Sequence, residues 1–481
     1  MVQAVSETAR EIGISVAHKE EDAPSAQFLL CDLMFVSALA SAFFQGYLRD
    51  HYGGIVSYGL TDGLFFVAFV LAVCTWGPRR FFARTPLTAP LLILALLGVP
   101  YMFNPESQIV EGILGFRAWN FYNLVFFYAY LRVDHDRAVH RVISLLLAIG
   151  VIVAVYGIYQ FWIGPEKFVQ GSRLIEARHT SEAYGIFTEE GVINIFRPFS
   201  TLNSAGNLGS TMVALSLLGL SFVLRTGRGR RWRVPIGVGI LALYGMMLLL
   251  TGSRTSVIAY VMGIACVVAL ERRLSFVSLL VLLGGMAVYA AVVISGGAIL
   301  GRLETLNPTA VTGMSGEINW RTVYLKRFED NMGWVVGMLN NPIGYGLGTT
   351  GVGIPTLPGM DQWGFRGISV DSDLGRAAVE MGIPGFLVVG CLVGAMVVFA
   401  VRAGNRLRDG PYGSLGPPLA GVVVGFLPII FLGNPLYGPP ASLLIWSSMG
   451  ALLKLEALAL EPSTAMVPVG QPKAGPERSA G

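Results

Sequence analysis

The sequence predicts an all-α polytopic membrane protein of about twelve transmembrane helices, with both termini cytoplasmic and two long extracytoplasmic loops. Three observations lead there. Charged residues make up 13% of the chain, where a soluble protein carries about 25%. Hydrophobic residues make up 53%, with a mean hydropathy of +0.62. Apolar runs long enough to cross a ~30 Å hydrocarbon core, roughly 20 residues each, follow one another with short polar loops between them.

The expected spans are 27–48, 56–77, 86–102, 109–131, 140–163, 204–224, 235–252, 255–270, 276–298, 375–401, 416–434 and 440–457. Together they form a transmembrane domain over 27–457. Ahead of it lies a cytoplasmic segment, 1–26, and behind it a tail, 458–481, rich in Pro, Gly, Ser and Ala and expected to be disordered. Residues 1–24 lack the basic region, apolar core and cleavage site of a signal peptide, so the first span is expected to act as an uncleaved signal anchor.

Arginine placement orients the spans. With the N-terminus inside, the inner loops carry Arg79, Arg80 and Arg84; Arg132, Arg137 and Arg141; Arg225 to Arg233; Arg272 and Arg273; and Arg402, Arg406 and Arg408. The short outer loops hold little besides Arg49 and Arg254. The alternation never breaks, and one missed span would invert everything after it. The cluster Arg225–Arg233 therefore reads as a topology anchor rather than a nucleic-acid patch. The four cysteines lie within or at the ends of apolar runs and form no disulfide framework or metal knuckle. Among the five histidines, none sits in a recognisable zinc-protease motif, and no nucleophile-with-base motif accompanies them.

Two outer loops are long, 164–203 and 299–374, and long loops are disproportionately functional. In the second, Trp320, Val323, Tyr324, Phe328, Val335, Met338 and Leu339 recur mostly at helical spacing. That predicts an amphipathic surface helix ending at Asn341-Pro342. The glycines that follow, Gly344, Gly346 and Gly348, read as a tight turn returning the chain to the bilayer. No strand precedes them and no Lys-Ser/Thr follows, so a nucleotide loop is disfavoured.

Ionisable residues at or inside spans are costly, and so become candidates for function. Arg254 sits in the outer turn Thr251-Gly-Ser-Arg-Thr, where a guanidinium suits a phosphate or diphosphate; a snorkelling interfacial arginine is the alternative. Arg197 opens a run through Asn203 to Asn207 that reads either as the mouth of a polar pocket or as a helix cap by Ser200, Thr201 or Asn203. Arg117 and Asn120 share a face of span four, as a structural polar contact or a substrate contact. Arg376 and Glu380, four residues apart, are placed to pair at the top of span ten. Asp371, just outside the bilayer, is a candidate general base. With Asp373 it forms a D-x-D pair that does not by itself complete a metal site.

Four stretches together resemble the O-antigen ligase and Wzy-type polymerase family of bacterial polysaccharide assembly. They are Arg197-Pro-Phe-Ser-Thr-Leu-Asn-Ser-Ala-Gly, Leu-Thr-Gly-Ser-Arg254-Thr, Trp320-Arg321 running to Asn341-Pro-Ile-Gly-Tyr-Gly-Leu-Gly, and Asp371-Ser-Asp through Glu380-Met-Gly-Ile-Pro-Gly. The resemblance covers about residues 109–402. It implies an inner-membrane glycosyltransferase of the all-helical type, using an undecaprenyl diphosphate-linked oligosaccharide as donor, with no cofactor. Chain-length regulator and flippase proteins are the partners it implies, and no nucleic acid. By that resemblance Arg197, Arg254 and Arg321 would hold the diphosphate; the chemistry of the residues themselves adds Arg117 and Asn203 as candidate substrate contacts and Asp371 as candidate base. Ligases of this family usually carry His-Asn where this chain has Asp371-Ser372, which leans towards a polymerase. The paired R-x10-G motifs of some polymerases are not matched, because Arg197 to Gly209 and Arg321 to Gly333 are one residue longer. Ligase and flippase remain the alternatives.

Overall fold

The computed structural model describes residues 26–52, 54–133, 136–163, 183–188, 191–224, 230–271, 332–350, 370 and 372–460. The expected span 276–298, most of both terminal segments, Arg321 and Asp371 lie outside the described residues.

Helices dominate. In chain order they are α1 (Ala26–Phe43), α2 (Gln45–Tyr52), α3 (Gly54–Trp76), α4 (Pro78–Phe81), α5 (Thr88–Met102), α6 (Ile109–Asn120), α7 (Leu124–Arg132) and α8 (Asp136–Ile163). A hairpin of β1 (Ala183–Thr188) and β2 (Gly191–Phe196) follows, antiparallel, with Ala183 opposite Phe196. Then come α9 (Ala205–Leu224), α10 (Arg230–Leu250), α11 (Arg254–Glu271), α12 (Asp373–Leu407), α13 (Gly416–Gly425), α14 (Leu427–Leu432) and α15 (Ala441–Leu460). The hairpin, inside the first long loop, is a feature that apolar periodicity did not signal.

Among the described residues, six helices are long and apolar enough to cross a membrane: Val56–Trp76, Asp136–Ile163, Ala205–Leu224, Trp232–Leu250, Asp373–Leu407 and Ala441–Leu460. Four shorter apolar helices accompany them, Leu30–Phe43, Thr88–Met102, Thr255–Glu271 and Gly416–Leu432. The protein is a helical, membrane-embedded one. Its outer surface bears this out: Phe66, Leu96, Ile152, Val261 and Val398 are all exposed. In water such a belt would drive aggregation, whereas in lipid it costs nothing.

Several expected spans are not single helices. Span four breaks at residues 121–123, where the amides of Leu124, Val125 and Phe126 bond three residues back instead of four. Span eleven breaks at Phe426 between α13 and α14, because Pro428 lacks the amide that would continue the ladder.

The centre of the bundle is α9, whose apolar stretch is 83% buried. Its small residues (Ala205, Gly209, Ser210, Ala214, Ser216, Gly219, Ser221) let neighbours approach on every side. It packs on α8, α10, α11, α13 and α15. Helices α11 and α13 come closer still, with a Cβ on Gly425 only 3.0 Å from the Ala259 carbonyl oxygen.

The loop before α9 is driven into this bundle. Ser200 adopts a left-handed φ of 56°. Both backbone groups of Ser200 are held by one buried side chain: its amide donates to Gln160 Oε1 at 2.7 Å and its carbonyl accepts from Gln160 Nε2 at 3.0 Å. Gln160→Ala is expected to orphan both groups, at about 1–3 kcal/mol for each. The loss would be read as a lower thermal midpoint in detergent, and an unchanged midpoint would count against the clamp.

Candidate functional site

The four stretches picked out by the sequence fall into two joined pairs. In the first, Arg197 Nε donates to the Thr251 carbonyl at 2.7 Å, which ties the loop before α9 to the tight turn between α10 and α11. Arg254 is the first residue of α11. Ser253 and Ser256 hydroxyls lie 2.8 Å apart beside it, and a Cβ on Gly209 would sit 2.6 Å from Ser256 Oγ. The N-termini of α9 and α11 therefore emerge together.

Asn203 is half-buried, and its Nδ2 donates to Gln45 Oε1 at 3.0 Å. Thr201 Oγ1 donates to the Phe43 carbonyl at 2.6 Å, and the Tyr47 amide returns a bond to the Thr201 carbonyl at 3.1 Å. These residues plug the break between α1 and α2. The cap of α9 is Ser204, whose Oγ accepts from the Asn207 amide at 3.1 Å, rather than Ser200, Thr201 or Asn203. The three expected cap residues face other helices across the bundle, which is the physical reason for the difference.

The second pair joins the glycine turn to the head of α12. Residues 332–340 are helical and stop at Asn341, where the sequence places the stop. Gly344, Gly346 and Gly348 all have positive φ (92°, 100° and 83°), open to glycine without strain. Helix α12 is broken at Gly382 (φ 62°, ψ −154°), two residues before Pro384. Pro384 has no amide to offer the Glu380 carbonyl, and the Ile383 amide is turned away from Val379. The turn fills the gap: Tyr345 N–H donates to Val379 O, Gly346 N–H to Glu380 O, and Ile383 N–H to Pro342 O, each at 2.9 Å. Every backbone group freed by the kink thus finds a partner, as low-dielectric surroundings demand.

That junction positions a buried charged cluster. Arg376 and Glu380 are both 0% exposed, and Arg376 Nε donates to Glu380 Oε1 at 2.8 Å. Thr350 Oγ1 donates to the same oxygen at 2.5 Å, and Trp119 Nε1 of α6 donates to Oε2 at 2.8 Å. The Arg376 guanidinium lies over the Tyr437 ring, 4.1 Å from its centroid. Asp373 is also fully buried; its Oδ2 accepts from the Leu436 amide at 3.1 Å, and Ser372 caps the helix through the Gly375 amide at 2.8 Å. Arg376 Nη1 and Nη2 and Asp373 Oδ1 have no hydrogen-bond partner among the described residues. A donor pair and an acceptor are left over in one buried cluster.

The two pairs lie at one end of the molecule. At the other end, Arg408 Nη1 reaches the Leu270 carbonyl and Gly404 adjoins Leu270, so α11 and the part of α12 after Gly382 run the same way. Helix α14 packs on both, and the Asp373 amide donates to Gly433 O at 3.0 Å, just past α14. The starts of α9 and α11, with Arg197 and Arg254, consequently share this end, where two helix N-termini point their positive ends. The first segment of α12, with the buried Arg376, folds back at Gly382, a Cβ on Gly385 lying 2.7 Å from the Ala377 carbonyl oxygen.

Arg117 stands apart from this face. Its Nη2 meets Asp62 Oδ2 at 2.5 Å and donates to Tyr122 Oη at 2.6 Å, and Tyr122 donates to Asp62 Oδ1 at 2.9 Å. These bonds form a polar contact inside the bundle. The residues that sequence reasoning passed over are Trp119, Thr350 and Tyr437. A single aromatic or hydroxyl residue carries no local signal of a partner that lies from 30 to 261 positions away.

The fold and this polar end define a membrane-embedded helical protein with a buried charged cluster as its candidate site. No family model matches the chain, and no curated protein is significantly similar to it.

Proposed function

We propose that this chain is a polysaccharide polymerase of the bacterial inner membrane. It would transfer a growing glycan from an undecaprenyl diphosphate carrier to a sugar hydroxyl of a lipid-linked repeat unit, on the extracytoplasmic face. The observation that carries the reading is the joining of Arg197 to the turn that carries Arg254, where the N-termini of α9 and α11 emerge together. A departing lipid diphosphate gathers negative charge, and fixed cations and helix dipoles aimed at that charge lower the barrier. Arg321 is proposed to join them, and Asp371 to take the acceptor proton. Twelve spans with both ends inside, and chain-length regulator and flippase partners, belong to the same proposal. The resemblance of the four motifs supports it, and so does their pairwise joining in the fold.

Deleting the gene and comparing surface glycan with the lipid-linked pool tests the class. Single repeat units at the surface without a ladder are the expected result. Long chains stranded on the carrier would mean a ligase, and units trapped on the cytoplasmic side a flippase. Arg254→Ala and Arg321→Ala, normally inserted, are each expected to cut polymer formation roughly a hundredfold. Full-length polymer from both variants would remove the diphosphate role.

A further inference from the structure

A second cavity lies away from the cluster just described, at the arginine-rich end of the bundle. Its volume is about 580 Å³, within the range of small-molecule sites. Phe35 and Val36 of α1, Val139, Val142, Ile143 and Leu146 of α8, Leu218 of α9 and Leu419 of α13 make it apolar over most of its wall. Its charged groups are Asp32, Arg132 and Arg141, with Tyr128 beside them, and Ser447 and Ser448 of α15 are its other polar lining.

These groups are not equivalent. Asp32 is consumed locally: Arg132 Nε donates to its Oδ1 at 2.8 Å, Arg132 Nη2 also pairs with its Oδ2, and Tyr128 Oη donates to Oδ1 at 2.8 Å. Trp76 lies under the Arg132 guanidinium, 5.6 Å from ring centroid to carbon. Arg141 has no hydrogen bond or ion pair with any described residue and is exposed. One carboxylate against two guanidiniums leaves the mouth with a net charge of +1. The neighbouring turn adds Arg137, also exposed, balanced by Asp136, and Arg79 and Arg80 sit on α4, which packs against α7. By the positive-inside rule this end faces the cytoplasm.

We infer that this cavity is a binding site for an anionic phospholipid of the inner leaflet, with an acyl chain in the apolar chamber and the headgroup phosphate on Arg141. The apolar wall excludes a hydrated ion from the interior, and hydrocarbon is the solute the bilayer offers it. The uncompensated guanidinium at the mouth selects charge. Basic pockets between transmembrane helices on the cytoplasmic side recognise anionic headgroups in this way. The inference is independent of the glycan reading, since none of these residues belongs to the opposite face.

The test uses the full chain in nanodiscs of dioleoyl phosphatidylglycerol and dioleoyl phosphatidylcholine, followed by native mass spectrometry of retained lipid. Retention of phosphatidylglycerol over phosphatidylcholine is expected, reduced about fivefold in Arg141→Gln, one arginine near a membrane surface being worth about that factor. Ala138→Trp, which fills the chamber, is expected to lose both lipids. Should that variant fail to assemble, phosphatidylglycerol with a photoreactive acyl tail is expected to label the 138–146 stretch of the native chain. Equal retention of the two lipids, an unchanged preference in Arg141→Gln, or labelling elsewhere would overturn the assignment. So would a thermal shift with soluble glycerol phosphate as large as with the lipid, which would make this a free-phosphate site.

Discussion

Glu380→Ala is expected to be the most damaging single substitution at the head of α12. The Arg376 guanidinium is 0% exposed, and Glu380 is its one ion-pair partner among the described residues. Removing the carboxylate leaves a buried cation uncompensated, which costs about 3–5 kcal/mol. Trp119 and Thr350 lose their acceptor in the same step. Glu380→Gln keeps one acceptor oxygen and should fall between alanine and wild type. Thermal unfolding in detergent reads both. The double variant Arg376→Met/Glu380→Met separates stability from function, because replacing both charges by apolar side chains of similar length is often close to neutral. It is expected to regain most of the stability lost by Glu380→Ala and none of the proposed polymer-forming activity. A Glu380→Ala protein melting within about 1 kcal/mol of wild type would mean that Arg376 has another counter-charge, and the cluster would have to be redrawn.

The Arg376–Glu380 pair was legible because a spacing of four residues on a helix puts two side chains on one face. The same holds for the end of helix 332–340 at Asn341-Pro342 and for the glycine turn, where three alternate glycines leave little but left-handed backbone. Eleven of the twelve expected apolar segments coincide with helices or broken helices, since an apolar run is excluded from water whether it faces lipid or neighbouring helices. Six of those helices meet the length and composition of a span, so the count of twelve rests on the arginine alternation. What stayed hidden is long-range pairing. Nothing near Trp119 announces Glu380, and nothing near Gln160 announces the left-handed Ser200. Arg117 illustrates the converse. Its presence in a span flagged it, but the partner that explains it, Asp62, lies 55 residues earlier on another helix.

Gly382→Ala is expected to be nearly as severe, by a different route. With φ 62° and ψ −154°, Gly382 lies in a region that is essentially glycine-only, where a side chain costs about 1–3 kcal/mol in backbone strain alone. An added Cβ would also overlap the Pro342 carbonyl oxygen, which already accepts from the Ile383 amide. Relief requires the glycine turn to withdraw, and withdrawal would leave the carbonyls of Val379 and Glu380 without the donors that replace a continuous helix. Thr350, on the chain leaving that turn, would be drawn away from Glu380, so the strain should reach the charged cluster. Gly390 supplies the control: it lies on the same helix, a Cβ there meets nothing within 4 Å, and Gly390→Ala should be neutral or mildly stabilising. Pro384→Ala probes the same junction from the other side, because it returns an amide that competes with Gly346 for the Glu380 carbonyl. A milder loss is expected there, with the kink free to straighten. Limited proteolysis of the turn and thermal midpoints in detergent read all three. Equal midpoints for Gly382→Ala and Gly390→Ala would show that the break in α12 is not what anchors the turn, and that the buried cluster holds itself together.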